Sequence, residues 1–124
     1  MDSILTSIKK MLGFDESYTA FDTDIIIFIN SALMVLNQLG VGPTTPYRIT
    51  SKTETWAQFF AGKQRLESVQ EFVYLSVRIV FDPPASSSVL EAYKSKIREL
   101  TFRLNAHVDP EDTFAERALS MNVN

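Results

Sequence analysis

Two consecutive prolines, Pro83 and Pro84, most restrict what this chain can fold into. Proline lacks a backbone N–H and clashes with the preceding turn, so no regular helix runs through the pair. The residue ahead of a proline is pushed out of helical geometry, which places the break at Asp82. On the N-terminal side lies a dense apolar segment: Leu66, Val69, Phe72, Val73, Leu75, Val77, Ile79, Val80 and Phe81. On the other side a serine run leads to Leu90, Tyr93, Ile97, Leu100 and Leu104, spaced three and four apart as on one helix face. Phe81-Asp82-Pro83-Pro84 is therefore expected to be a corner between two helices. The first should be central, because only Glu67, Gln70, Glu71, Ser76 and Arg78 interrupt its apolar surface. Arg78 stands four residues before Asp82, the spacing of a helical ion pair. Ser88 and Glu91 match a capping box for the second helix, and Phe102 points away from its stripe, among Glu91, Ser95 and Arg98.

Upstream, Ile4, Leu5, Ile8, Met11 and Leu12 share one helical face, with Asp2 or Ser3 to cap it and Gly13 to stop it. Phe14 to Ala20 reads as a short connection. Asp22 is placed to cap a second helix and Asp24 to favour its dipole. The main stripe of that helix is Ile25, Phe28, Ile29, Ala32, Leu36 and Leu39. Ile27 and Met34 fall on roughly the opposite side, so the helix is central or shared with another subunit. Gly40 ends it, and Gly42 and Pro43 prevent its resumption. Val41 to Lys52 is a long non-helical stretch in which Tyr47 and Ile49 alternate with Arg48 and Thr50, a pattern that allows a short exposed strand. Ser51-Lys52-Thr53-Glu54 matches a capping box, so a short helix carrying Trp56, Phe59 and Phe60 should begin there and stop at Gly62. Near the C-terminus, Asp109-Pro110-Glu111-Asp112 is a helix start, and Phe114, Ala118 and Leu119 form one small apolar edge. With so little to bury, that piece should order only against something else.

The bulk properties exclude several classes. A chain of 124 residues fits one domain, and 45% hydrophobic with 22% charged residues is ordinary for a globular fold. The formal charge of -3 argues against a general nucleic-acid binder, which needs a basic surface to displace phosphate counterions. No cysteine is present, so neither a disulfide scaffold nor a thiolate metal site is expected. The most lipid-like run, Ile25 to Leu36, is interrupted by Asn30 and Ser31 and falls short of the roughly 20 apolar residues of a spanning helix. Asp2 precedes the first apolar residues and no small-residue cleavage pattern follows, so no secretion signal is expected.

Catalytic chemistry has little to stand on. His107 is the single histidine and reads as a surface or capping residue. Asp22 and Asp24 are explained by a helix start rather than by acid–base or metal work. Gly40 and Gly42 lead to Pro43 and not to a phosphate-cradling helix start, and no serine has a histidine–acid set around it. Trp56, Phe59 and Phe60 read as core and not as a base-stacking platform, because no basic residues interleave with them. Neither an enzyme nor a cofactor protein is expected. The short helix and the long one after it resemble a helix-turn-helix in outline, and a helical DNA-binding regulator is the alternative reading. Its recognition helix would be too apolar for a charged major groove.

The string Tyr74-Leu75-Ser76-Val77-Arg78-Ile79-Val80-Phe81-Asp82-Pro83-Pro84, followed by the serine-rich cap and a helix ending Phe102-Arg103-Leu104-Asn105, resembles the head–tail connector (adaptor) proteins of tailed bacteriophages. Upstream, Phe21-Asp22-Thr23-Asp24-Ile25, Ile29-Asn30-Ser31, Asn37-Gln38-Leu39-Gly40-Val41-Gly42 and Thr55-Trp56 agree with it, so the likeness spans about residues 1–105. The resemblance implies a subunit of a homo-oligomeric ring, usually a dodecamer, in the neck of the virion. Such a ring docks under the portal protein, extends the DNA channel and receives a stopper or tail-completion protein. DNA passes through the lumen without sequence-specific binding, and no membrane is involved.

The expected architecture is all-α: a small bundle of four to five helices, a long loop between helices 2 and 3, and an extended C-terminal tail. Residues 1–105 form the helical domain, and 106–124 a tail that orders on assembly. Ile27, Met34, Arg98 and Phe102 are the expected subunit-interface residues, Phe114 and Leu119 the portal-docking ones. Arg78, Asp82, Pro83 and Pro84 form the structural corner.

Overall fold

Within the described residues, each helical apolar periodicity read from the sequence becomes a helix. The structure is a computed structural model and describes residues 3–61 and 66–107. Over those residues it is all-α, with α1 (Ile4–Met11), α2 (Asp22–Gln38), α3 (Trp56–Phe60), α4 (Leu66–Phe81) and α5 (Ser87–His107). The expected Gly62 stop, the Asp109–Asp112 helix start, Phe114 and Leu119 lie outside the described residues.

Helix α4 is the middle layer. It packs against α2 on one side and α5 on another, while α1 closes over α2 and α4. The core joins Ile4 and Ile8 of α1, Ile25, Ile29, Leu33 and Leu36 of α2, Val69, Phe72, Val73 and Val77 of α4, and Leu100 and Leu104 of α5. Trp56 and Phe59 are fully buried and Phe60 nearly so, as expected of core aromatics. Trp56 Nε1 donates to Ser7 Oγ at 3.1 Å, and Ser7 Oγ donates in turn to the Ser3 carbonyl at 2.7 Å. The one polar atom of the deepest side chain is thus satisfied, as burial of an indole requires.

Helix ends follow local chemistry. Ser3 caps α1, its hydroxyl accepting from Thr6 N. Helices α1 and α2 both end with a glycine at positive φ, and the amide two residues past each C-cap bonds back to the carbonyl five residues earlier. For α2 those bonds are Gly40 N to Asn37 O at 3.0 Å and Val41 N to Leu36 O at 2.8 Å, the Schellman arrangement. Gly42 has a second reason to be glycine: a Cβ there would lie 2.6 Å from Phe59 Cζ.

Three capping expectations are corrected. Asp22 is not the cap of α2; Phe21 holds that position without a side-chain bond, and Asp22 lies inside the helix with its carboxylate 2.9 Å from Lys9 Nζ. Lys9 is almost fully buried, so the acid neutralises a largely desolvated cation, a stronger demand than one exposed amide. Lys9 Nζ also donates to the Glu16 carbonyl at 2.9 Å, so the buried ammonium has two oxygen partners. The short helix does not start from Ser51 and Glu54. Thr55 caps it in a reciprocal box with Gln58, because Trp56 must begin the helix to reach Ser7. Before α5 it is Ser86, not Ser88, whose hydroxyl accepts from Val89 N, at 3.4 Å, and Glu91 pairs with Lys94.

The strand allowed around Tyr47 and Ile49 does not form. Ile49 is buried, and the Asn30 side chain takes both of its backbone groups: Ile49 N donates to Asn30 Oδ1 at 2.8 Å, and Asn30 Nδ2 donates to Ile49 O at 3.0 Å. An amide side chain from α2 thus replaces a partner strand. Glu54, freed from helix capping, accepts from Thr50 N, Thr50 Oγ1 and Ser51 N and tightens the loop below it.

Candidate assembly interface

The corner is the most heavily tied exposed feature. Pro83 and Pro84 end α4 as expected, and the last helical bond runs from Asp82 N to Arg78 O at 3.0 Å. Arg78 then clasps the turn. Its Nε donates to the Asp82 carbonyl, its Nη1 donates to Tyr74 Oη at 3.0 Å, and its guanidinium carbon lies 5.9 Å from the centre of the Tyr93 ring on α5. The expected Arg78–Asp82 ion pair exists but is loose, at 3.9 Å with the acid mostly exposed. The corner is therefore held by carbonyl, phenol and ring more than by charge. The hydrogen bond to Tyr74 leads the causes that raise the Arg78 pKa above its ordinary value. Because Tyr93 belongs to α5, this one side chain links the end of α4 to α5.

On the inner side of the same corner, Phe81 meets Phe14 at 5.9 Å, Phe21 at 5.4 Å and Phe28 at 6.4 Å between ring centres. Tyr18 stacks on Phe14 at 5.6 Å. The stretch read as a short connection is thus an aromatic clamp. Its signal was present as three aromatics in eight residues, Phe14 to Phe21. Their spacing of four and then three imitates a helix face, but no helix forms over 14–21, so periodicity alone misplaces them.

Exposed large apolar side chains among the described residues include Met11, Tyr18, Phe21, Val80 and Val89, and two further sites, on different flanks, lie on α2 and at Phe102 of α5. On the outward face of α2, Ile27 is 54% exposed, Met34 38% and Val35 40%. Ile27, Asn30, Ser31 and Met34, with Arg48 from the following loop, line a shallow groove of about 390 Å³. On α5, Phe102 is 75% exposed, the most exposed of the large apolar residues among those described. Arg98, one turn earlier, is turned back to Ser95 Oγ at 2.9 Å. The structure thus gathers Ile27 and Met34 at one surface and Arg98 and Phe102 at another, and it does not join the two within a chain. Arg48 and Val35 belong to the first surface and were not singled out by sequence, since both sit where exposure is decided by neighbouring elements.

A second, larger cleft of about 650 Å³ lies between α1, the 15–22 connection and the Thr50–Lys52 loop. The nearly buried Lys9 and the partly exposed Asp22 belong to its lining. Beside it the Ser17 amide and hydroxyl hold the Asp15 carboxyl below its usual range. No cluster of metal-ligating residues occurs among the described residues, and none of their helices is long and apolar enough to cross a membrane.

The basic residues of α5 form no stripe for phosphate. Lys94 pairs with Glu91 at 3.7 Å, Lys96 with Glu99 at 3.4 Å and Arg103 with Glu99 at 2.7 Å. Such exposed pairs add little stability, and they offset part of the charge of this helix. Helix α4 carries Arg78 as its one basic residue, and that side chain is committed to the corner. This removes the basic outward face that the DNA-binding alternative requires.

Comparison with known proteins adds one finding. A family model described as phage connector protein matches residues 4–111, which includes all five helices. No curated protein and no solved structure matches significantly.

Proposed function

This chain belongs to the phage connector protein family, with a role at the junction of phage head and tail, and on that premise we propose that it is a structural subunit of a connector ring. The ring, most simply a dodecamer, docks under the portal protein in the virion neck. It extends the DNA channel, offers a surface to a stopper or tail-completion protein, and catalyses no reaction. The observation that supports this best is the pairing of a family match over nearly the whole chain with two outward apolar sites on separate flanks of one small bundle. A ring subunit needs two lateral faces besides its own core. The net charge of -3 suits a lumen through which DNA slides without being gripped.

Residues 1–105 supply the bundle in this proposal, and 106–124 form a tail that orders on assembly, with Phe114 and Leu119 contacting the portal. A segment that folds on its partner is a common device for attaching to a large assembly. The test is the mass of the purified chain by light scattering, alone and mixed with portal rings. Ring-sized particles, or retention on the portal, are expected. A chain that stays monomeric and ignores the portal overturns the reading, and tight retention on DNA in place of the portal turns it toward a regulator.

A further inference from the structure

We propose that copies of this chain join head to tail, with Phe102 of one copy seated in the Ile27–Ser31–Met34–Arg48 groove of the next. The inference rests on the connector reading above and gives it a specific contact.

The placement of the two sites supports a head-to-tail contact. The inner face of α2 packs on α4, so Ile27 and Met34 point away from α4. The inner face of α5, through Leu100 and Leu104, also packs into the core, so Phe102 points away as well. Helices α2 and α5 flank α4 and share almost no contact. A patch that pairs with its own copy gives a two-fold dimer, whereas two different patches on separate flanks give a head-to-tail chain, which closes into a ring when the rotation between copies permits.

The chemistry of the two sites is complementary. One is a lone aromatic ring standing out of a polar helix face, and the other is a shallow groove with room for a phenyl ring. Aromatic anchors that fill pockets carry most of the energy at protein interfaces. The groove wall also holds Arg48, which is exposed and has no ion-pair partner among the described residues. A guanidinium without an acid is free to lie over an incoming ring. Arg98, one turn before Phe102, is drawn back to Ser95, and the adjacent Arg103 is paired with Glu99. Asn30, at the groove floor, is already committed to Ile49, so the floor asks nothing of the occupant.

The chain has no cysteine, so two introduced thiols report on this contact alone. Ser31→Cys lies in the groove, and Asn105→Cys lies one turn from Phe102 on the same exposed face. Neither change removes an apolar contact. A short bifunctional maleimide, applied to the full-length double variant alone and on portal rings, should give a ladder of multimers. Each single variant should stop at a trace of dimer, and a mixture of the two singles at a heterodimer. A reference pair, Tyr18→Cys with Asn105→Cys, should give no ladder.

Adding Phe102→Asp to the double variant should abolish the ladder with an unchanged melting temperature. Arg48→Gln should weaken association roughly two- to fivefold, the size of an exposed cation–π contact. Multimers that form without the Ser31–Asn105 ladder, or with an equal ladder from the reference pair, overturn this contact and leave the connector reading standing. Failure to associate at all, alone or on the portal, overturns that reading and the contact with it.

Discussion

Asn30 shows how much a single side chain decides. In the sequence it is a polar interruption in an apolar helix. In the structure it is buried and holds both backbone groups of Ile49, which has no strand neighbour. Replacing it with alanine leaves a buried N–H and C=O unpaired, at about 1–3 kcal/mol each. Asn30→Ala should therefore lower unfolding free energy by about 2–6 kcal/mol in urea titration, and an unchanged midpoint would mean water replaces the amide. Asn30→Asp should be no better, since a carboxylate has no donor for the Ile49 carbonyl.

Glu54 anchors the same loop and makes it pH-sensitive. Desolvation raises its pKa, but the hydrogen bonds from Thr50 and Ser51 together outweigh that and leave it below the ordinary value of 4.5. A carboxyl with a depressed folded-state pKa adds stability that is present above its unfolded pKa. That contribution is lost as pH falls through the lower folded value. Hydrogen exchange at the Thr50 and Ser51 amides should thus stay slow at neutral pH and accelerate in acid below 4.5, after correction for intrinsic rates. In Glu54→Gln the acid step should disappear. An acid step that survives in that variant would assign it to another group.

At the scale of elements, the corner and the helix starts were unequally legible. Two prolines forbid a helix whatever surrounds them, so the α4–α5 break could be read from four residues. Capping boxes are weaker signals, because Ser, Thr, Glu and Gln recur often enough to offer overlapping choices. Thr55 with Gln58 starts α3 in preference to Ser51 with Glu54 because only that register puts Trp56 beside Ser7.

Arg78 is the element-scale test. Its fork reaches a carbonyl, a phenol and a ring at once, which a lysine ammonium cannot reproduce. Arg78→Lys and Arg78→Ala should both lower stability, by about 1–2 kcal/mol from the lost charged hydrogen bonds and ring contact, given partial exposure. Thermal melting measures this, and a lysine variant as stable as the parent would show that charge alone holds the corner.

For the whole molecule, the buried residues of the described core run from Ile4 to Leu104. If the tail serves attachment alone, a chain ending at Asn105 should melt within a few degrees of the full chain and lose retention on portal rings. A large fall in melting temperature would instead make the tail part of the fold, and normal retention would move the docking surface into the bundle.

The helical periods, the proline corner and the core aromatics were all readable before any coordinates. Each is a local rule, a spacing or a steric prohibition, that one stretch of chain enforces alone. The Phe14–Phe21 clamp on Phe81, the Lys9–Asp22 pair and the Asn30–Ile49 bonds came only with the tertiary structure. Each of these joins positions with no shared period, and the partner is chosen by which helices happen to pack. The same division applies to the outward faces. Helical phase alone places Ile27, Met34 and Phe102 off their core stripes. That Arg48 completes a groove with the first two, and that Phe102 stands on another flank, depends on α4 lying between α2 and α5.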